Sequence, residues 1–443
     1  MSDMIPEVSF FEVLRNASRI LKNPLPFHHK NFEKHGDIFR VNLGFGQSVI
    51  FTRDAGLAKH TLQKHHRNYR KSELQTRDLA KYIGEGLLTA DGEKWLEQRR
   101  LIQPAFHKKK LEEIIVTIKS VVVAELSKIK PNKTFNIYPL MGDLAFQVVA
   151  KSLFSYTDTK NIISRLQYIT ETAQKSLIKE IRQPYKRWWF HLNGKIKGTL
   201  RLTQEARDIL NGIIEERKNS KEKYNDLLDM LLEARYEDGS AMDNEQLIDE
   251  ILILFTAGHE TTSNALTFTL LLLANHPEIQ EKVYQEVSDM FSSDISAIEQ
   301  IAKYQYTKQC IEESMRLYPP AYFSDRVAIE DDMYKDFFLK KGTTILISFF
   351  EIHKHKDLWK DPLSFNPDRF APEIDKKEYS DSYFPFGAGP RMCIGNNFAM
   401  YEMVLAISEL VRKYKITPSF NTIEIKPLIT LKPKNALLSL TLR

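Results

Sequence analysis

"FPFGAGPRMCIG", residues 384–395, sets one cysteine in a loop of glycine, proline and phenylalanine, in a chain of 443 residues that has only one other cysteine. Two cysteines are too few for a disulfide framework, and such usage fits a reducing compartment. A zinc site would need further Cys or His ligands at short spacing, and none follows Cys393. A nucleophilic cysteine would take a His partner from anywhere in the fold, which the sequence leaves open. A buried structural cysteine is the default for an isolated residue, but this setting favours an ionised sulfur. Gly387, Gly389 and Gly395 let backbone approach a flat object closely and turn N–H groups toward the thiolate. Arg391 adds positive charge, and Phe386 can keep water out.

Composition narrows the surroundings of that loop. A chain with 42% hydrophobic and 11% aromatic residues buries a large core, and 17 Gly with 18 Pro exclude a fibrous or disordered architecture. The 63 basic and 58 acidic residues leave a net charge of only +5. The one compact basic run, "HKKK" at 107–110, lacks the interleaved aromatics of a nucleic-acid footprint. The N-terminus breaks its apolar stretches with Glu7, Arg15, Asn16 and Arg19, so no signal-peptide core is expected and the reading is a cytoplasmic protein. "ILILFTAGHETTSNALTFTLLLLA", 251–274, has the length of a membrane span, yet it centres His259, Glu260 and four further polar residues where a bilayer disfavours them most. It reads as a helix through the middle of a large core.

The rest is mostly helix. Residues 37–52 alternate and turn through Gly44 and Gly46 as a hairpin, and short strands are expected at "GTTILISFF" and near "NALLSLTL". Helical periodicity dominates "GEKWLEQRRLIQPAF" and "DNEQLIDEILILF", the latter opening on an Asp243 cap with Gln246 in capping-box spacing. The expected class is mainly α with small peripheral β-sheets, one domain over 1–443, β-rich at about 35–70 and helical from about 75 onward.

With its spacing F-x-x-G-x-x-x-C-x-G, the run Phe386, Gly389, Cys393, Gly395 resembles the haem-binding loop of the cytochrome P-450 superfamily. Four more segments resemble the family's motifs in order: "WLEQR" at 95–99, "AGHETT" at 257–262, "ESMR" at 313–316 and "FNPDRF" at 365–370. The resemblance implies haem b held by the Cys393 thiolate, which donates electron density that favours splitting dioxygen. It implies cofactor contacts from Phe386, Gly387, Arg391, Trp95, Arg99, Ala257 and, more weakly, Arg326. It also assigns Glu313, Arg316 and Arg369 to a buried charge network beneath the haem.

Residue chemistry agrees with those assignments without requiring them. Leu254, Ala257, Gly258, Thr261 and Ala265 share a helix face, where the small residues would let a planar group lie close. Thr261 can loosen the helix by bonding a backbone carbonyl, and Glu260 offers the carboxylate a proton relay needs. The plain alternatives are a kink cap and a carboxylate paired with a lysine. Trp95 and Arg99 suit a propionate, against a core tryptophan with a solvated arginine. Cys310 reads as a small buried hydrophobe.

The resemblance implies a monomeric monooxygenase, of the stand-alone bacterial type, that inserts one oxygen atom of O2 into a substrate C–H bond, by hydroxylation or oxidative O-demethylation. The chain ends soon after the family's last strand, so electrons from NAD(P)H are expected only indirectly, through a ferredoxin or flavodoxin with its reductase, docking near Arg391 and Lys108–Lys110. A peroxide-using or isomerising haem-thiolate enzyme and a haem sensor are the competing classes. Leu88, Leu254, Ala257, Ala321 and Tyr322 are expected to face the substrate, which suits a fatty acid or terpenoid. Tyr322 with Gln75 and Arg77 would also admit a methylated sugar or phenol.

Overall fold

A computed structural model describes residues 5–155, 160–183, 186–291 and 295–443. Its axis is the helix Asn244–Asn275, capped as expected by Asp243, whose carboxylate accepts from the Gln246 N–H at 2.7 Å. Between Leu252 and Ala274 this helix is buried everywhere except at Leu254, Thr256, Ala257, Gly258 and Thr261. The three- and four-residue spacing of 254, 257, 258 and 261 makes one narrow accessible stripe on an otherwise core helix. The helix Ile137–Leu153 covers another side, with Phe146 stacked on Phe255 at 5.0 Å. Gly258 is small for that neighbour: a Cβ there would come within 2.9 Å of Val149 Cγ2. Its size therefore serves helix packing as well.

The hairpin forms from Ile38–Gly44 and Gln47–Thr52. It does not make an N-terminal sheet by itself. Gln47–Thr52 pairs in parallel with Thr344–Ile347, which pairs with Ser324–Ala328, which in turn pairs with Tyr69–Arg70. Chain segments far apart in sequence thus close one six-stranded sheet. A second apolar cluster beneath this sheet, including Ile50, Leu57, Leu62 and Phe349, takes in Phe384 and Ala388 from the cysteine loop. The loop is anchored to the sheet before it reaches Cys393. Among the described residues no helix is long and apolar enough to cross a membrane.

Candidate active site

Cys393 sits between two fixed ends. Ahead of it, Gly387 and Gly389 adopt φ of +74° and +72°, the left-handed region that favours glycine. A Cβ on Gly389 would strike the Leu62 carbonyl oxygen at 1.9 Å, so no other residue fits there. No atom lies within 4 Å of the corresponding position on Gly387. The Cys393 N–H closes the loop onto the Phe386 carbonyl at 2.9 Å, and the helix Asn396–Lys413 begins just after Gly395. Cys393 is exposed at the end of the loop, yet the protein packed around its sulfur pushes the thiol up, while the Gly395 N–H and then the Arg99 charge pull it back toward ionisation.

Of the two arginines, Arg99 is the one whose charge is felt at Cys393. Arg99, expected on a propionate, donates from Nη1 to the Met392 carbonyl at 2.8 Å and supplies the charge felt at Cys393. Arg391, expected beside the sulfur, turns away to pair with Asp91 and lies 4.7 Å over the Trp95 ring. Trp95 itself is buried on the helix Gly92–Ile102. Near Arg391 stand Arg326 and Lys71, both buried. Burial, then the Arg391 charge, bring Lys71 down to about 7 and Arg326 to about 10. Lys71 was not singled out from the sequence; "YRKS" carries no pattern, and its importance appears only in the fold. Its ammonium donates to the Leu87, Leu88 and Ala90 carbonyls at 2.9, 2.8 and 2.7 Å, so it pins that turn and contributes charge.

Asp91, Asp325 and Glu250 are the carboxylates whose charges act on this trio, and Asp325 also accepts from Ser72 and Gln75. Arg391 Nη1 is buried with no hydrogen-bond partner among the described residues. An orphaned buried guanidinium donor calls for an acceptor, and an anion suits it best. With a thiol on one side, an accessible stripe of small side chains on the central helix and room at Gly387, the residues fit a flat group carrying carboxylates. Haem is such a group.

Glu313, Arg316 and Arg369 form one charge network. Glu313 and Arg316, on the helix Gln305–Leu317, are fully buried and joined in a two-pronged pair at 2.7 and 2.8 Å. Arg316 also donates to the carbonyls of His353, Pro362 and Ser364. Glu313 further accepts from Arg369 Nε at 3.3 Å and the Asn366 N–H at 3.0 Å. His353 carries the network into the cysteine loop, because its Nε2 accepts the Phe384 N–H at 2.8 Å. No motif marked His353. Cys310, on the same helix, is fully buried and its thiol is pushed well up by burial.

The remaining expected residues separate. Thr261 Oγ1 donates to the Ala257 carbonyl at 2.6 Å, on the accessible stripe with Leu254. Glu260 points elsewhere: its buried carboxylate takes a hydroxyl from Thr430 and lies 3.1 Å from Lys432 Nζ. Leu88 is half-buried and Ala321 exposed. Tyr322 is buried, and its hydroxyl donates to the Leu428 carbonyl at 2.8 Å. Gln75 is taken by Asp325, and Arg77 by Glu73 and Asp78 on the surface. The three groups invoked for an oxygenated guest are therefore engaged with the protein.

The comparisons with known proteins fit this geometry. A family model described as Cytochrome P450 matches residues 7–440. Cytokinin hydroxylase of Arabidopsis thaliana is 33% identical over 435 residues, covering 94% of this chain and 82% of its own. The 11-oxo-beta-amyrin 30-oxidase of Medicago truncatula is 30% identical, covering 92% of this chain and 80% of its own. Pentalenene oxygenase of Streptomyces avermitilis is 27% identical, covering 91% and 89%. With the match spanning nearly the whole chain, and with Cys393 in its glycine-bounded loop above the buried Glu313–Arg316 pair, this chain belongs to the cytochrome P450 family and is an oxidoreductase of its monooxygenase class.

Proposed function

We propose that this chain hydroxylates an apolar small molecule, or removes an O-methyl group from one, using electrons delivered by a separate ferredoxin or flavodoxin. The accessible stripe of the central helix carries the reading: Leu254 and Ala257 offer hydrocarbon, and Thr261 presents the one hydroxyl among them. Such a lining suits a fatty acid or terpenoid better than a sugar, since the polar groups that would recognise a sugar are already bonded within the protein. The haem, when bound through Cys393, supplies the binding and activation of dioxygen.

The residues of the chain then have separate tasks. Arg391 offers its unpartnered Nη1 to a propionate, with Trp95 holding its guanidinium plane and Arg326 adding charge. Arg99 lowers the cost of the thiolate. Thr261 holds a proton at Oγ1, shared with the Ala257 carbonyl, from which it can turn to donate. Glu260 can join a relay only after leaving Lys432 and Thr430, so in the resting arrangement it is a braced acid and Thr261 acts alone. Lys108, Lys109 and Lys110 are exposed and suit an acidic redox partner, whereas Arg391, engaged by Asp91, does not reach one.

Replacing Arg391 by Gln removes a charge-assisted donor worth about 1.5–3 kcal/mol. Haem affinity, measured by transfer to apomyoglobin, is expected to fall by roughly tenfold or more. The proton-holding role of Thr261 is tested by Thr261→Ala with a surrogate reductase. Electron consumption is expected to continue while product per electron pair falls and hydrogen peroxide rises. Unchanged coupling would leave Thr261 as a packing residue.

A further inference from the structure

We propose that His60, His65 and Asp332 form a binding site for a divalent transition-metal ion, Zn2+ above all, beside the ledge that carries the cysteine loop. The site arises from an unusual turn. In "HTLQKH", 60–65, the chain winds as a π-helix over His60–Lys64, with the His65 N–H donating to the His60 carbonyl at 2.8 Å. An α-helical turn would align residues four apart, whereas this wider turn brings residues five apart onto one face, and such turns recur at functional sites. The two imidazoles accordingly lie face to face, ring centres 4.0 Å apart and 21° from parallel.

Asp332, from the strand Asp332–Tyr334, reaches the same point. Its Oδ2 lies 2.8 Å from His60 Nε2 and its Oδ1 3.7 Å from His65 Nδ1. The ligand atoms all fall within 4.8 Å of one another. Ligands about 2.1 Å from a tetrahedral ion stand about 3.4 Å apart, so the His60–Asp332 contact must open by roughly half an ångström to admit an ion, while the half-exposed His65 already stands near that spacing from Asp332. The carboxylate is already oriented, as metal-bound carboxylates are: Tyr69 donates its hydroxyl to Oδ2 at 2.7 Å and the Met333 N–H donates to Oδ1 at 2.8 Å. His66 is not part of the site, since its Nδ1 meets the Gln63 carbonyl at 2.8 Å.

Two imidazole nitrogens and one carboxylate select zinc, copper or nickel over magnesium and calcium, which require oxygen shells. An ion here would tie the π-turn to the Asp332 strand. That turn contributes the Leu62 carbonyl against which Gly389 is pressed, so a bound ion also braces the loop of Cys393.

The test is isothermal titration of the full haem-loaded chain with ZnCl2, freed of metal beforehand by chelation. One ion per chain is expected, with affinity lost in Asp332→Asn and His65→Ala and weakened roughly 10- to 100-fold in Tyr69→Phe. His65 is half-exposed, so its replacement leaves the fold intact, and the carbon monoxide spectrum checks the haem in each variant. Absence of binding in the parent chain would overturn the site. Equal affinity in the parent and in His65→Ala would overturn it too, placing the zinc on other histidines.

Discussion

Replacing Glu313 by Gln is expected to remove about 3–5 kcal/mol of stability, the range found when one member of a buried ion pair is neutralised and its partner stays behind. The size of the effect follows from complete burial. Glu313 and Arg316 have no exposed side-chain surface, and the Glu313 carboxylate satisfies Arg316 twice, Arg369 once and the Asn366 N–H once. A neutral amide retains the volume but presents one oxygen where two charged ones were used. Surface pairs of the same i, i+3 spacing, such as Lys110 with Glu113, contribute only a few tenths of a kcal/mol. The comparison is direct: urea unfolding of Glu313→Gln and of Glu113→Gln against the parent chain. A large loss in the first and almost none in the second is expected. Because Arg316 and His353 connect the pair to the Phe384 N–H, the first variant should also lose haem sooner on heating. A loss below about 1 kcal/mol would place the pair among ordinary surface interactions.

Replacing Cys393 by Ser is expected to abolish detectable product formation while leaving the chain folded. The second half follows from what holds the loop. Phe384 and Ala388 are packed in the cluster under the sheet, Gly389 is pressed on Leu62, and the Cys393 N–H bonds the Phe386 carbonyl. None of these contacts uses the sulfur. The first half follows from chemistry, because a serine hydroxyl does not ionise near neutral pH and cannot supply the electron density of a thiolate. Circular dichroism with product analysis under a surrogate reductase separates the two. Retained turnover would show that the sulfur is dispensable; lost structure would show that it holds the loop.

Local features of the fold were legible in the sequence, and the partners of charged groups were not. The hairpin turns at Gly44 and Gly46, both with positive φ, and Asp243 caps the central helix, because each depends on residues a few positions apart. The sheet that joins Gln47–Thr52 to Thr344–Ile347 depends on pairing across most of the chain, for which periodicity carries no signal. The same limit governs the site. Glu313 and Arg316 are three residues apart and were found together, but Glu260 is braced by Thr430 and Lys432 from a distant hairpin. Arg99 and Arg391 were both recognised as site cations, yet which faces the sulfur is decided by Asp91 and Trp95. Lys71 and His353 were missed because burial gives each its role, and a lone Lys or His has no spacing to betray it. Tyr322 was read as an open phenol; the Leu428 carbonyl that engages it comes from the C-terminal part of the chain.

The central claim is that Cys393 is an ionised sulfur ligand to haem iron. It is tested most directly by the absorption spectrum of the purified, dithionite-reduced protein under carbon monoxide, taken beside that of Cys393→Ser. The account predicts the far-red-shifted Soret band of a thiolate-ligated haem in the parent chain and its absence in the variant. A haem-replete, folded parent chain without that band would contradict it.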